Sequence, residues 1–570
     1  MKRFWLAVVS TSILFMAHAM PHWAQVETYD LVIMNGRVVD GTGNPWFYGD
    51  VAIRGDRIVR VGRLGPSRAK RRIDATGMIV APGFIDMLGH SEVNLLIDPR
   101  AESKVFQGIT TEVTGEGGSI GPINDYILKE MEPVIKKFNL TIDFRTIGEY
   151  FARLERTPPA INIATYVGAT QVRQYVLGDE DRAPTAAELD EMRKLVAQAM
   201  EDGAVGLSTS LVYAPAFYAK TEELIELAKV ASRYGGIYAT HMRNESNAIM
   251  PAIDEALRIG REARIPVEIF HLKMAGKQNW GKMAEVIKKI EEARARGLDV
   301  TADQYPYVAG ATALSASIPP WAHEGGTQKL IERLKDPATR EKLKKEMRTP
   351  TSEWENFYLG AGAGEGILVA RVLKEELMKY QGKRVSEVAR MMNKADEIDA
   401  LFDLVIADAG QTGAIYFLMS EDDVKLAMKQ PWLSIGVDHG AVATTGPLSE
   451  GRAHPRGYGS FPRILGKYVR DERVITLEEA IRKMTSLAAN RVGLAERGLL
   501  KPGYFADVVV FAHNLTSDIS TFEDPNRLST GMRFVLVNGQ SVIDGGKQTM
   551  ARPGRPLRGP GYKPPRPANR

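Results

Sequence analysis

Five polar residues stand where short apolar runs end, and their types are those that hold a metal or move a proton. His241 follows Tyr238-Ala239-Thr240, His271 follows the run from Val267 to Phe270, and His90 follows the run from Val80 to Asp86. Glu116 comes after Thr110 to Gly115, and Asp438 closes Leu433 to Val437. One histidine alone reads as a packing residue. Several of the chain's nine, at successive strand ends and beside carboxylates, read as a metal site. The chain has no cysteine, so only imidazole and oxygen ligands are available. Zn2+ leads on that donor set, with iron or manganese as alternatives. The same absence excludes a disulfide framework, an iron–sulfur centre and a thiol nucleophile.

The elements that must position these residues are legible as an α/β pattern. Strand-like runs at Ile163–Val167, Gly236–Thr240, Val267–Phe270 and Leu298–Thr301 alternate with amphipathic stretches at Thr221–Ser232, Ala252–Ala263 and Met283–Arg296. Repeated β–α units of this spacing predict a parallel sheet, and their number favours a (β/α)8 TIM barrel over residues 81–485. In such a barrel the chemistry sits at the C-terminal ends of the strands. Residues 322–430 break the rhythm. They are rich in Lys and Glu, with helical stretches at Thr327–Arg348 and Val385–Ala400, and read as a lid-like insertion. Short alternating β-branched runs punctuated by Asn-Gly occur in residues 28–80 and return in 486–550. They predict one small β-sandwich domain built from both ends of the chain.

Composition narrows the function class. The chain has 570 residues and a formal charge of +4. Residues 1–19 contribute Lys2 and Arg3, and residues 551–570 contribute six bases, with no acid in either segment. Removing two and six from +4 leaves −4 for residues 20–550, so the body is not a nucleic-acid-binding surface by composition. Residues 1–19 read as a signal peptide: Lys2-Arg3, an apolar run from Phe4 to Met16, and Ala17-His18-Ala19 as a cleavage site. The expectation is an exported protein, periplasmic or secreted, with no stable membrane span once the signal is removed. The Pro- and Arg-rich segment 551–570 is expected to be a disordered tail.

Several ordered segments resemble the D-aminoacylase branch of the amidohydrolase superfamily, the N-acyl-D-amino-acid deacylases. They are Val80 to Asp86, Gly206 to Tyr213, Thr240-His241-Met242-Arg243-Asn244-Glu245, His271 to Gly276, Ala302 to Tyr307 and His454 to Gly459. The resemblance spans roughly residues 28–545. It implies that His241 and His271 hold a tightly bound zinc, and that Asp438 takes a proton from the attacking water and passes it to the leaving amine. It also implies that Lys273, Arg456, Tyr213 and the Tyr305/Tyr307 pair bind the substrate's carboxylate or polarise its acyl oxygen, with Tyr305 preferred of the two. An arginine offers a planar fork to a carboxylate. Lys273 lies two residues past His271, and in an extended segment shares its face.

Two departures matter. Where the family has His-x-His, this chain reads Leu88-Gly89-His90, and Leu88 cannot ligate. Where the family has a metal-binding Cys in a Gly-Asn-Cys-Gly turn, it reads Gly115-Glu116-Gly117-Gly118. A carboxylate from Glu116 can replace the thiolate, or serve behind the ligands as a hydrogen-bond acceptor. One metal per chain is expected, held by Glu116, His241 and His271. His90 stays open as a weak ligand, a substrate contact or a packing residue. The resemblance implies an enzyme that hydrolyses the amide of an N-acyl-D-amino acid or a related D-residue-containing peptide, a small molecule with a free carboxylate. The alternatives are a dipeptide or cyclic-amide hydrolase, and a degenerate barrel that binds without turnover. Oligomeric state is not legible.

Overall fold

The computed structural model describes residues 27–564; the expected signal peptide at 1–19 lies outside them. Both ends of the chain meet in one nine-stranded sheet. Thr28–Val38 pairs with Phe47–Arg54, Arg68–Asp74 and Ile79–Pro82, and its register shifts between Ile33 and Gly36. That irregularity at Asn35-Gly36 lets one strand serve different partners along its length, as bulges do. Val508–Phe511 then adds to Ile79–Pro82 and carries Met532–Val537 and Gln540–Asp544 beyond it. Ile33, Val51, Val80, Val508 and Leu536 fill its core. Hydrogen bonds run through all nine strands, where the sequence predicts a sandwich. The residues from 486 to 507 hold the helix Ser486–Arg491 and loops, so the second β portion begins at Val508.

The rest of the site-bearing body is parallel. Phe84–Gly89, Ile109–Thr114 and Asn162–Thr165 pair side by side. Val167–Gly168, directly after Asn162–Thr165, starts a second series through Gly206–Ser210, Ile237–His241, Val267–Ile269, Val300–Gln304 and Leu433–Ile435. A parallel bridge from Gly89 to His439 brings the two outermost strands of this succession together. Gly89 is required there, because any Cβ would collide with the Glu112 carboxylate.

Amphipathic helices return the chain from one strand to the next. Ala186–Asp202 starts on a capping box, Thr185 with Glu188, and ends on left-handed Gly203. Thr221–Arg233 buries Leu224, Ile225, Leu227 and Val230. At about 1.5–3 kcal/mol for each large apolar side chain, that face outweighs any intrinsic helix propensity.

Between Val300–Gln304 and Leu433–Ile435 lies a unit with its own three-stranded antiparallel sheet: Gly310–Ala313, Ile367–Arg371 and Gly413–Tyr416. A separate apolar cluster including Leu334, Leu343, Val369 and Phe402 holds it. It therefore starts before residue 322. The helical stretch predicted over Thr327–Arg348 is two helices, Gly326–Lys335 and Pro337–Met347. Pro337 lacks the N–H that a helix interior needs, and the Asp336 carboxylate caps the restart by accepting from Thr339 N at 2.8 Å. Val385–Ala400 likewise divides, into Val385–Met391 and Glu397–Ala407, the latter capped by Asp396.

The tail is a correction. Of the expected tail 551–570, residues 551–564 are not disordered but lie along the starts of the parallel strands, and residues 565–570 lie outside the described residues. Ile163 N donates to Arg555 O at 3.1 Å and Leu557 N to Ile163 O at 2.7 Å. Arg558 pairs with Glu155 and Lys563 with Glu201, each at 2.6 Å. The residues that read as disorder permit this docking. Gly554 and Gly559 press on the backbone of Ile161 and Ala204 too closely for a Cβ. Among the described residues, no helix is long and apolar enough to cross a membrane.

Candidate metal centre

All five strand-end residues converge at one end of the parallel strands. Glu116 sits in a turn between Gly115 (φ +97°) and Gly117 (φ +64°), and a Cβ on Gly117 would strike Ser210. The two glycines are what let the carboxylate turn back over the strand ends. His241 ends its strand in register with Ser210. His271 has φ +34° and its N–H donates to Asp303 Oδ1 at 3.0 Å. Asp438 has φ +55° and its N–H donates to Leu88 O at 2.7 Å. Left-handed backbone is costly for a non-glycine residue, and here two chemistry-bearing residues adopt it at strand ends.

The donors form two triangles sharing one carboxylate. In the first, Glu116 Oε1 lies 2.7 Å from His241 Nδ1 and 3.4 Å from His271 Nε2, and the two ring nitrogens are 3.1 Å apart. In the second, His90 Nε2 lies 3.2 Å from Glu116 Oε2 and 3.1 Å from Asp438 Oδ1. Both groups can hold a metal ion. A tetrahedral zinc with bonds of about 2.0–2.1 Å separates its ligand atoms by roughly 3.3 Å, so the first triangle fits that ion. His90 belongs to the second group, beside Asp438. Leu88 takes no part in either; it is buried in an apolar cluster with Ile85, Val113 and Phe270.

Electrostatics hold the carboxylates ionised. Burial pushes Glu116 upward, but hydrogen bonds from His241, His271 and His90 outweigh it and hold the carboxyl well below its usual range. Asp438 is likewise lowered: burial opposes, and the Arg456 guanidinium, His271 and His90 prevail. Burial alone would neutralise His241, yet Glu245 and Glu116 raise it to about 10.

The centre opens into a cleft of about 730 Å³. Lys273, Arg456, Tyr213 and Tyr305 all line it. Arg456 Nη1 pairs with Asp438 Oδ2 at 2.6 Å, and its guanidinium lies over the Tyr305 ring, 4.6 Å from the centroid. Lys273 Nζ is held by both oxygens of Glu245, at 2.8 and 2.7 Å. The Tyr213 ring meets His241 edge-on at 5.3 Å. Tyr307 is a correction. Its hydroxyl donates to Asp518 Oδ2 at 3.3 Å, its ring stacks under Arg463, and it does not line the cleft. The antiparallel unit contributes Phe357, Tyr416 and Leu418 to the lining as well.

Two groups of residues go beyond the sequence reading. Lys104 is fully buried, donates to Asp86 Oδ2 and to His439 O at 2.7 Å each, and lies 3.4 Å from Glu112. Asp86 Oδ1 in turn accepts from Val437 N at 2.8 Å. This ion-paired knot fixes the backbone on both sides of Asp438. Glu245 was visible in the Thr240–Glu245 segment, four residues past His241, but nothing local marked its partner Lys273.

Comparisons with known proteins show the family. The model of the amidohydrolase family matches residues 71–543. D-aminoacylase of Alcaligenes xylosoxydans xylosoxydans is 37% identical over 517 residues, covering 90% of this chain and 95% of that protein. The crystal structure of N-acyl-D-glutamate deacylase from Bordetella bronchiseptica, complexed with zinc and a phosphonate mimic of the tetrahedral intermediate, superposes with a TM-score of 0.76. It is 34% identical and covers 93% of this chain and all of that one. A D-aminoacylase structure described by a binuclear metal center, with one-metal activation and second-metal attenuation, also superposes at 0.76, with 35% identity over the same shares.

Proposed function

This chain belongs to the amidohydrolase family, in its D-aminoacylase branch, and from that premise we propose that it hydrolyses the amide bond of N-acyl-D-amino acids or related D-residue-containing peptides. The observation that carries the reading is the triangle of Glu116, His241 and His271 beside the His90–Asp438 pair, at the floor of a cleft lined by Arg456 and Lys273. We read the fold as a (β/α)8 barrel, supported by the succession of eight parallel strand positions and the Gly89–His439 bridge. The nine-stranded sheet is then the small domain built from N- and C-terminal segments, and the antiparallel unit a lid over the strand ends. Residues 1–19 fit an export signal.

We assign one zinc to Glu116, His241 and His271, with His90, Asp438 and the other oxygen of Glu116 as a weaker second position. Zinc held there would supply a lowered pKa for bound water and a Lewis acid for an acyl oxygen. The protein's own groups do the rest. Asp438, kept ionised by Arg456, accepts a proton from the attacking water and delivers it to the leaving nitrogen. Burial and the nearby Glu116 raise the Tyr213 hydroxyl well above its usual value, so it stays protonated and can donate to the acyl oxygen. Arg456, Lys273 and Tyr305 face the substrate's carboxylate. Water adds to the acyl carbon, the C–N bond breaks, and a carboxylate and an amine leave.

The test is a panel of paired N-acetyl-D- and N-acetyl-L-amino acids given to the zinc-loaded protein. Turnover confined to D-substrates supports the reading. Inertness toward every D-substrate overturns it.

A further inference from the structure

Glu245 is 2% exposed and touches three groups of the centre at once. Its Oε2 lies 3.2 Å from His241 Nε2, its Oε1 lies 3.0 Å from His271 Nδ1, and both oxygens accept from Lys273 Nζ. The ring nitrogens it faces are those turned away from Glu116. His241 presents Nδ1 to Glu116 and His271 presents Nε2. Two neighbouring imidazoles therefore point opposite nitrogens at the same spot.

An imidazole that ligates through one nitrogen carries its proton on the other, and the partner of that N–H sets the tautomer. His241 Nε2 is buried without a well-aligned hydrogen-bond partner among the described residues, and the Glu245 carboxylate is the acceptor beside it. The glutamate is itself held. Its backbone N–H donates to Glu355 Oε2 at 2.6 Å, and its carbonyl accepts from Ala275 N at 2.8 Å. Glu355 is buried and belongs to the antiparallel unit, just before the helix Phe357–Gly360.

We propose that Glu245 is a positioning residue: one carboxylate that fixes opposite tautomers in His241 and His271, freeing Nδ1 of the first and Nε2 of the second for the metal. Glu355 anchors it from the antiparallel unit, so that unit supports the centre as well as walling the cleft. The competing arrangement is also visible. Lys273 Nζ lies 2.6 Å from His271 Nδ1 and, by donating there, would put the ring proton on Nε2, facing Glu116. Glu245 competes for the same ammonium through both of its oxygens, and on this proposal it wins that competition once the metal is bound.

The inference rests on the metal-centre reading above, but its readouts do not depend on which substrate is turned over. In E245Q the side chain keeps its volume and loses one acceptor oxygen. The expected result is a folded protein, by circular dichroism and thermal midpoint, whose zinc affinity in chelator competition falls about 10–100-fold. E245D, with both oxygens on a shorter stem, should recover part of that loss. Zinc affinity in E245Q within about threefold of the parent overturns the proposal. If E245Q does not fold, nitrogen-15 histidine spectra of the zinc-loaded parent decide. Protons on His241 Nε2 and His271 Nδ1 support the proposal, and a proton on either of the opposite nitrogens overturns it. Loss of D-substrate turnover with both tautomers as stated would fail the functional reading while leaving this one intact.

Discussion

Arg456 Nη1 sits 2.6 Å from Asp438 Oδ2, so the guanidinium expected to bind a substrate carboxylate already neutralises the group that handles the proton. The two functions are thereby linked. On the proposed function, an incoming carboxylate would share Arg456 with Asp438, which would bring the substrate beside the group that handles the proton. Each half of that arrangement can be removed separately.

Asp438→Asn keeps the shape and loses the proton acceptor. The expected outcome is a fall in kcat/KM of about 10²- to 10⁴-fold, the usual worth of a positioned general base. Circular dichroism and the thermal midpoint should stay near the parent's, because Asp438 is anchored through its backbone N–H to Leu88 O. Full activity in this variant would remove Asp438 from the mechanism.

Arg456→Lys retains a charge but not the planar fork, and the buried site leaves little freedom for an ammonium to replace it. Steady-state kinetics should show KM raised by about tenfold or more, with kcat lowered as well because Asp438 loses its partner. A variant with unchanged KM would mean that Arg456 serves Asp438 alone.

The tail gives a stability prediction. Truncation after Met550 removes the Arg558–Glu155 and Lys563–Glu201 pairs, the backbone bonds to Ile163, and Leu557 from the cluster containing Ile85 and Phe270. The ion pairs are partly exposed and contribute little. The half-buried leucine and the backbone bonds should together be worth a few kcal/mol. Calorimetry at a fixed scan rate should show a lower midpoint, with activity retained at 25 °C because the tail lies at the strand starts, opposite the centre.

A buried lysine far from the centre supplies a pH test. Burial lowers Lys483 to about 8, and its ammonium donates to Gln430 O and, at 3.0 Å, to Leu433 O. Below pH 8 the group is charged in both folded and unfolded chains, and the burial cost is fully present. Between about 8 and 10.4 the unfolded chain binds a proton that the folded chain does not, so raising the pH favours folding. Chemical denaturation from pH 7.5 to 10 should therefore show the parent gaining stability relative to Lys483→Met. A flat difference would mean that Lys483 titrates normally.

The strand-end residues were legible because their position follows from the β–α alternation, and their types from the chemistry left to a chain without cysteine. Glu116 was placed by the strand-like run that precedes it and by the resemblance, which puts it beside the family's cysteine position. What lay beyond the sequence depended on partners far along the chain. Tyr305 and Tyr307 would share a face if the segment were extended, but the chain turns at Pro306 and sends Tyr307 to Asp518 and Arg463. Glu245 is four residues from His241, yet its meaning comes from Lys273 and Glu355. The knot of Lys104, Asp86 and Glu112 joins residues that look like ordinary charges one at a time. The tail misled because composition averages over glycines that in fact pack against backbone.

The most direct test of the account is the metal content of the purified chain beside Glu116→Ala, with D-substrate turnover measured on the same samples. The parent chain should hold about one tight zinc, and the variant should lose both zinc and turnover while the fold persists. A Glu116→Ala protein that keeps stoichiometric zinc and full turnover would contradict it.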